Sequence, residues 1–270
     1  MRILITDLDG TLAGSDRAIS SANRACLAQL GHQGVLRVIA TGRSLFSAGK
    51  LLDADFPLDY LIFSAGAGIV SWPRRDLLRR HGLTPAQAET AGRVLLEAGV
   101  DFMLHRPIPD NHCFFYYGEG RANPDFRRRL ELYRDFAEPG PLPVPRNEAC
   151  QLVAVLPPGR LDVFPRIRDR LPGLKVIRST SPLDRKSTWL EVYPPGVSKG
   201  TGAAWLARRH NCQRRQTVGI GNDYNDLDLL EWTARSFVVA NAPASLRRRF
   251  SVVPAHDAGG FLRAVRIAFY

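Results

Sequence analysis

Short apolar runs that each stop at a polar or glycine-rich segment recur towards both ends of the chain. Strands are predicted at residues 2–6, 35–40, 60–63, 216–220 and 236–240. Apolar residues at helical spacing separate the first two runs, beginning at Ser20 or Ser21 and closing at Gly31 and Gly34. Strands that alternate with helices predict an α/β fold, a doubly wound parallel sheet with helices on both faces. Polar residues that follow such strands are candidates for chemistry, because ligands bind beyond the carboxyl ends of the strands.

The middle of the chain has a different pattern. Strands are predicted there at residues 101–104, 113–117, 151–156, 175–177 and 188–192, and helices at 85–98, 124–136 and 161–171. This order predicts an α+β domain built on an antiparallel sheet. We therefore divide the chain into a discontinuous core, residues 1–80 and 193–270, and an inserted α+β domain, residues 81–192.

The composition is that of a globular protein, with 45% of the residues hydrophobic and 23% charged. No apolar stretch is long enough to span a bilayer, and the N-terminal run reaches Asp7 too early for a secretory signal. Four cysteines are too widely spaced for a metal knuckle and too few for a disulfide scaffold, which is typical of a reducing compartment. We expect a cytoplasmic protein without a membrane partner.

The net charge changes this picture. Lys and Arg number 37 against 26 Asp and Glu, which gives +11 and predicts an anionic partner, either nucleic acid or a small phosphorylated molecule. The arginine pairs and triplets lie in unrelated predicted elements without interleaved aromatic residues, which disfavours nucleic acid. A basic nucleic-acid-binding protein without enzymatic activity is kept as the weaker alternative.

Two carboxylates follow the first predicted strand. Asp7 and Asp9 stand one residue apart and precede Gly10 and Thr11. Two ionised acids this close need a cation or hydrogen bonds, and Mg²⁺ with oxygen ligands meets that need. A simple turn would require only the Asp-Gly pair. The strand end therefore favours a functional site over a turn.

Residues 7–12, Asp-Leu-Asp-Gly-Thr-Leu, resemble the first motif of the haloacid dehalogenase-like (HAD) superfamily of phosphotransferases. Three further family motifs match in order: Thr41 within residues 40–43, Lys199 within residues 197–200, and the acidic segment 221–226. The inserted domain resembles the large type-IIB cap of the family's Cof-like branch, which includes sugar phosphatases, sucrose-phosphate phosphatases and phosphomannomutases. The resemblance covers the whole chain and implies a Rossmann-like core with a cap.

The resemblance implies a role for each motif. Asp7 is the expected nucleophile, which forms an aspartyl-phosphate, and Asp9 the expected general acid and base. Thr41 and Lys199 are expected to hold the phosphoryl oxygens, and Lys199 is one of only four lysines in the chain. Further candidates for phosphate binding are Gly10, Gly42, Arg43 and Asn225. Arg43 could equally bond a carboxylate.

The resemblance also implies Mg²⁺ as the cofactor. Its expected ligands are Asp7, the main-chain carbonyl of Asp9 and the fourth motif, which includes Asp226. That motif departs from the family pattern, because Asn222 stands where relatives have an aspartate. Either Asn222 coordinates through its amide oxygen or Asp223 takes its place. The greater gain from a second carboxylate favours Asp223.

The resemblance implies a Mg²⁺-dependent phosphatase for a small phosphorylated metabolite, with a sugar or polyol phosphate favoured. A phosphomutase of the phosphomannomutase type is the alternative, in which the aspartyl-phosphate is returned to a sugar. Residues of the inserted domain that could select the substrate are His105, Arg106, Asp110, Asn111, His112 and Arg146.

Overall fold

The computed structural model describes residues 1–270, which form two compact units. The first unit comprises residues 1–80 and 198–270, and the second comprises residues 81–197. The inserted unit therefore ends at residue 197, whereas the sequence pattern predicts that it ends at residue 192. None of the helices has the length and apolar character needed to cross a membrane.

The strands, in chain order, are β1 (Arg2–Thr6), β2 (Val35–Ala40), β3 (Tyr60–Phe63), β4 (Gly68–Ser71), β5 (Leu77–Arg80), β6 (Asp101–His105), β7 (Phe114–Tyr117), β8 (Ala137–Pro139), β9 (Gln151–Leu156), β10 (Lys175–Thr180), β11 (Thr188–Tyr193), β12 (Thr217–Gly221), β13 (Arg235–Val239) and β14 (Ser251–Val253). The α-helices are α1 (Ser21–His32), α2 (Leu45–Gly49), α3 (Pro85–Glu97), α4 (Pro124–Leu132), α5 (Val163–Asp169), α6 (Lys199–Arg209), α7 (Leu227–Trp232), α8 (Ala244–Arg247) and α9 (Gly260–Phe269).

The first unit is built on an eight-stranded sheet in the order β14-β13-β12-β1-β2-β3-β4-β5. Its first six strands in this order run parallel, and the β4–β5 hairpin is antiparallel. Helices α6 and α7 contribute Ala203, Leu206 and Leu229 to a core with Ile3 and Ile5 of β1. Helices α1 and α9 pack against each other and against other strands of the sheet. The predicted doubly wound α/β fold is confirmed.

The predicted strands of the core agree closely with the observed ones. The first three coincide with β1, β2 and β3, and β12 and β13 differ from the predicted bounds by one residue. Strands β4, β5 and β14 were not predicted. Each is short, and β5 and β14 lie at the two edges of the sheet, where exposed residues weaken the apolar signal.

The second unit is built on a six-stranded sheet in the order β10-β11-β9-β6-β7-β8, antiparallel except for the β7–β8 pair. Helices α3 and α5 pack in one apolar cluster, and α4 packs in another. The predicted helix over residues 124–136 was too long, since α4 ends at Leu132. The chain turns there because the Phe136 carbonyl accepts the Phe114 N–H at 2.9 Å, and residues 137–139 then pair with β7.

Candidate active site

The sheet order brings three of the four motifs to neighbouring strand ends. Strand β1 lies between β2 and β12, so Asp7 follows the central strand of the three, with Thr41 and Asn222 after its neighbours. The Asp7 N–H donates to the carbonyl of Ile220 at 2.8 Å, which fastens the first motif to β12. Residues far apart in the sequence therefore meet at one sheet edge.

Lys199 is the first residue of α6 and is fully buried. The hydroxyl of the N-cap residue Ser198 accepts the Thr201 N–H at 3.1 Å, which fixes where the helix begins. The Lys199 Nζ lies 2.6 Å from Asp7 Oδ1 and 2.6 Å from Asp226 Oδ1. Burial alone would lower the pKa of Lys199, but the charges of Asp226 and Asp7 outweigh it and raise the pKa. Lys199 is therefore a charged ammonium between two carboxylates.

Asp7 is buried, with 5% of its surface exposed, and its two oxygens differ. Oδ1 accepts the bond from Lys199, whereas Oδ2 has no hydrogen-bond partner. Burial raises the pKa of Asp7 to about 7, because the attraction of Lys199 offsets only part of the desolvation and the neighbouring Asp226 adds repulsion. A buried carboxylate oxygen without a donor fits a cation at this position.

Asp226 links Lys199 to the loop that follows β12. Its Oδ2 accepts the N–H groups of Asn222 at 2.8 Å and Asp223 at 3.0 Å, while Oδ1 binds Lys199. A Cβ added at Gly221 would lie 2.7 Å from Oδ2 of Asp226, so only glycine fits there. Both oxygens of Asp226 thus have partners within the protein, and its direct contact with a metal stays a prediction.

Asn222 and Asp223, the two alternatives for the fourth-motif ligand, make different contacts. The Asp223 side chain accepts the Asp226 N–H within its own loop. The Asn222 side chain lies against the first motif, where a Cβ added at Gly10 would come within 2.7 Å of Asn222 Nδ2. Gly10 also has a positive φ of 75°, so its backbone and its surroundings both require glycine. This arrangement favours Asn222 over Asp223 as the residue that faces the first motif.

Asp9 forms a two-point ion pair with Arg43. Arg43 Nε lies 2.7 Å from Asp9 Oδ2, and Nη2 lies 2.5 Å from Oδ1. Arg43 Nη1 also donates to the carbonyl of Ser47 at 3.3 Å, which anchors the guanidinium to α2. Of the two partners considered for Arg43, the structure shows the carboxylate.

The other residues predicted to bind phosphate differ in their hydrogen bonds and neighbours. Thr41 is buried, and its Oγ1 accepts the Arg43 N–H at 3.1 Å. Asn225 Oδ1 lies 3.4 Å from Lys199 Nζ. A Cβ added at Gly42 would meet nothing closer than Asn225 Nδ2 at 3.7 Å, so Gly42 is not sterically required. The Gly10 N–H donates to the Ala13 carbonyl at 3.2 Å, which leaves this group already bonded.

Asn241 is a residue of the core that the sequence analysis did not select. It follows β13, and its Nδ2 donates to the carbonyl of Gly10 at 2.9 Å. Its signal in the sequence is its position as the first polar residue after a predicted parallel strand. It belongs to none of the four motifs.

The candidate selectivity residues of the second unit mostly have structural partners. Arg106 pairs with Glu138 at 2.9 Å, and Arg146 lies 3.6 Å from Glu89. His105 is buried, and its Nδ1 lies 2.8 Å from the Asn111 carbonyl. Burial and the neighbouring Arg129 lower the pKa of His105 to about 3, so this histidine is neutral.

A sequence model of the family described as haloacid dehalogenase-like hydrolase matches residues 4–260. The 5-amino-6-(5-phospho-D-ribitylamino)uracil phosphatase YwtE of Bacillus subtilis is 24% identical over 94% of this chain and 92% of its own. The HMP-PP phosphatase of Citrobacter koseri is 28% identical over 91% of this chain and 86% of its own. The solved structure of BT1666 from Bacteroides thetaiotaomicron superimposes with a TM-score of 0.79 at 22% identity, covering 99% of this chain and 95% of that one. This likeness supports the fold.

Proposed function

Because the chain belongs to the haloacid dehalogenase-like hydrolase family, we propose that it is a Mg²⁺-dependent phosphatase for a small phosphorylated metabolite. The family membership confirms the resemblance drawn from the four motifs and the expectation of an enzyme. The observation that carries the proposal is the pairing of Asp7 with Lys199. A buried carboxylate with one oxygen beside an ammonium and the other positioned to bind a cation suits attack on a phosphate dianion, because both positive charges reduce the repulsion.

In the proposed reaction Asp7 attacks the phosphorus atom in line with the leaving group. A bond forms between phosphorus and the Asp7 carboxylate oxygen, and the bond from phosphorus to the ester oxygen breaks. Lys199 places positive charge beside the attacking carboxylate, which reduces its repulsion of the phosphate dianion. Thr41 would donate its hydroxyl to a non-bridging oxygen.

Asp9 supplies the proton that this step needs. It protonates the departing alkoxide and then removes a proton from the water that attacks the aspartyl-phosphate, which frees Asp7 and inorganic phosphate. Both Asp9 oxygens accept hydrogen bonds from Arg43, so one of these bonds must open for Asp9 to carry the proton that it donates. Arg43 orients the Asp9 carboxyl group through the bond that remains and serves as a positioning residue.

The residues present fit a Mg²⁺ ion. Asp7 Oδ2, the main-chain carbonyl of Asp9 and an oxygen of Asn222 would hold it, and bound Mg²⁺ would neutralise the phosphoryl oxygens. Mg²⁺ prefers oxygen donors of this kind and keeps several water ligands, which would complete the set. The position of Asn222 beside Gly10 supports Asn222 as the ligand, whereas the greater charge of a carboxylate supports Asp223.

Paired variants test this ligand assignment. We expect Asn222→Ala to raise the Mg²⁺ concentration needed for half-maximal activity at least tenfold, and Asp223→Ala to change it less than threefold. Thermal unfolding with and without Mg²⁺ provides a second readout, since a bound ion stabilises only the folded chain. The reverse order of the two variants would restore Asp223 as the ligand.

We propose a polyol or sugar phosphate as the substrate class. The name of the Bacillus subtilis relative describes a phosphate on a ribityl chain, which supports a polyol phosphate for this chain too. All four cysteines are free thiols, in keeping with the cytoplasmic location we propose for this activity.

A panel of phosphate monoesters, assayed with Mg²⁺ and with EDTA, tests the proposed function. We expect Mg²⁺-dependent release of inorganic phosphate, fastest from sugar and polyol phosphates and lost in Asp7→Asn. No release from any monoester would overturn the proposal. Fast isomerisation of sugar 1- and 6-phosphates with slow hydrolysis would indicate a phosphomutase instead.

A further inference from the structure

The carbonyl of Gly10 is held by a residue from near the other end of the chain. Asn241 Nδ2 donates to Gly10 O at 2.9 Å, and Asn241 Oδ1 accepts the His256 N–H at 3.1 Å. One amide therefore connects the first motif to the segment between β14 and α9. Both ends of this amide are occupied, so its orientation is fixed.

A second contact lies a few residues further along. Ser15 donates its N–H to Asp257 Oδ1 at 3.0 Å and its hydroxyl to Asp257 Oδ2 at 2.6 Å. The Ser15 hydroxyl also lies 3.0 Å from His256 Nε2. The loop over residues 7–15, here called the first-motif loop, is thus fastened at Gly10 and at Ser15. We call the group that fastens it, Asn241, His256 and Asp257, the C-terminal clasp.

The Ser15, His256 and Asp257 side chains do not form a second catalytic centre. In a nucleophilic triad the acid orients the histidine through Nδ1, and the histidine receives the hydroxyl proton. Here the hydroxyl donates to Asp257, which lies on the Nε2 side of the ring, and His256 Nδ1 has no hydrogen-bond partner. The group therefore holds the loop and does not activate Ser15.

The first-motif loop needs such support at Gly10. Glycine has the greatest backbone freedom of any residue, and Gly10 adopts a positive φ of 75° next to Asp9. The space that a side chain would fill is occupied by the amides of Asn222 and Asn241, whose Nδ2 atoms lie 2.7 and 3.7 Å from the position of an added Cβ. Rotation of the Gly10 peptide would move Asp9, which precedes it.

We propose that Asn241 is a positioning residue for Asp9, acting through its hydrogen bond to the Gly10 carbonyl. This inference rests on the proposed phosphatase function and adds a residue outside the four motifs to it. Misplacement of a reacting group by about 1 Å can lower a rate about 100-fold, so loss of the single hydrogen bond to the Gly10 carbonyl can slow the reaction measurably. The step that slows is proton transfer by Asp9.

Asn241→Asp tests the bond with little change in shape. The new carboxylate still accepts the His256 N–H but presents an oxygen to the Gly10 carbonyl, where the amide presented a donor. Asn211→Asp is the matched control, because it makes the same charge change at an exposed residue of the same unit. Asn241→Ala removes the bond without adding charge and serves if the first variant does not fold.

The readout is the rate of leaving-group release in a single turnover at saturating substrate, because hydrolysis of the aspartyl-phosphate also uses Asp9 and is common to all substrates. In the release step an alkyl phosphate needs the proton from Asp9, whereas p-nitrophenyl phosphate releases a stable anion and needs it far less. We expect Asn241→Asp to lower this rate at least tenfold for the alkyl phosphate that is the best substrate of the panel and less than threefold for p-nitrophenyl phosphate. Asn211→Asp should match the wild type on both substrates.

Equal loss on the two substrates, or no loss on either, would overturn the positioning role while leaving the phosphatase function intact. Absence of Mg²⁺-dependent turnover in the wild type would overturn the proposed function and the role of Asn241 with it. Circular dichroism and thermal unfolding of each variant identify any loss caused by misfolding. If both Asn241 variants fail to fold, the clasp is required for the fold and its assignment to Asp9 is overturned.

Discussion

Asp7, the proposed nucleophile, is a residue whose negative charge destabilises the folded protein in the absence of a further cation. Burial opposes its ionised form more strongly than Lys199 favours it, and Asp226 shares the same ammonium. A binding site that holds an incompletely balanced charge gains stability when the missing cation is supplied. The stability of the protein should therefore report on the site independently of turnover.

Asp7→Asn tests this statement. The folded-state pKa of Asp7, about 7, lies above its ordinary value of 3.8, so the folded state holds this proton more tightly and loses stability as pH rises between these values. We expect this substitution to abolish turnover yet to raise the midpoint of thermal unfolding at pH 8 in EDTA. Mg²⁺ should stabilise the wild type and not the variant. A variant less stable than the metal-free wild type would contradict this.

His105 gives stability the opposite pH dependence. Its folded-state pKa of about 3 lies below the ordinary 6.5, so the unfolded chain binds a proton that the folded one excludes. Stability from this group is complete above pH 6.5 and falls by at most about 1.4 kcal/mol per pH unit below it. We expect the stability difference between wild type and His105→Phe, measured by urea unfolding, to shift towards the variant from pH 7 to pH 5. A constant difference would contradict this.

At the scale of elements, the start of α6 is the feature that places Lys199. The turn over Ser64–Gly66 packs directly on it, and a Cβ added at Gly66 would lie 2.2 Å from the Ser198 carbonyl oxygen. Gly66 also has a φ of 108°, and Ser64 and Ala65 adopt positive φ values beside it. The sequence predicts the strand that ends here. Its contact with the start of α6 could not be read from the sequence, because the close approach depends on tertiary packing.

Gly66→Ala and Gly34→Ala form a matched pair for this contact. Both glycines have positive φ, but an added Cβ at Gly34 meets nothing within 4 Å. We expect Gly34→Ala to lower the free energy of unfolding by about 1–2 kcal/mol through backbone strain alone. Gly66→Ala should lower it by at least about twice as much, because the helix start must move. It should also reduce kcat through Lys199, whereas equal effects of the two would contradict the packing argument.

The elements that the sequence predicts well have clear local signals. Strands β1 and β2 are apolar runs that stop at Asp7 and Thr41, so their ends are marked in the sequence. The predicted helix extends beyond the end of α4 because residues 133–136 are compatible with a helix. The hydrogen bond from the Phe114 N–H to the Phe136 carbonyl places these residues outside the helix. Phe114 and Phe136 are far apart in the sequence and meet only when the sheet has formed, so the local pattern does not predict this bond.

At the scale of the whole molecule, the parallel order of the strands unites motifs from both ends of the chain. The strand ends let the sequence predict that Asp7, Thr41 and the 221–226 segment meet. The sequence did not predict that Asp226 would bind Lys199, that Asn222 would face Gly10, or that Asn241 would hold the first-motif loop. Those are contacts between residues far apart in the sequence, which no local pattern records.

The chain has a net charge of +11, although its candidate active site is rich in carboxylates. Several arginines are neutralised by acids, whereas Arg79 and Arg209 lie over the ring of Trp205 with no carboxylate partner. The surplus cations make the molecule attractive to anions at a distance, and salt reduces this attraction.

We therefore expect kcat/KM for a dianionic monoester to fall with ionic strength, by up to about tenfold between about 0.01 M and about 1 M salt at constant free Mg²⁺. The value of kcat should change less than twofold, because the bound substrate no longer depends on long-range attraction. Steady-state kinetics over a salt series provides the measurement. A kcat/KM that stays constant or rises would show that the surplus charge does not guide the substrate.

The covalent step at Asp7 is the central claim, and trapping the aspartyl-phosphate tests it most directly. The enzyme is mixed with Mg²⁺ and a radiolabelled monoester from the panel and quenched in acid within the first turnover. We predict a protein-bound label that hydroxylamine releases, that maps to the peptide containing Asp7, and that Asp7→Asn lacks. Turnover without a bound label, or a label that persists in Asp7→Asn, would contradict the account.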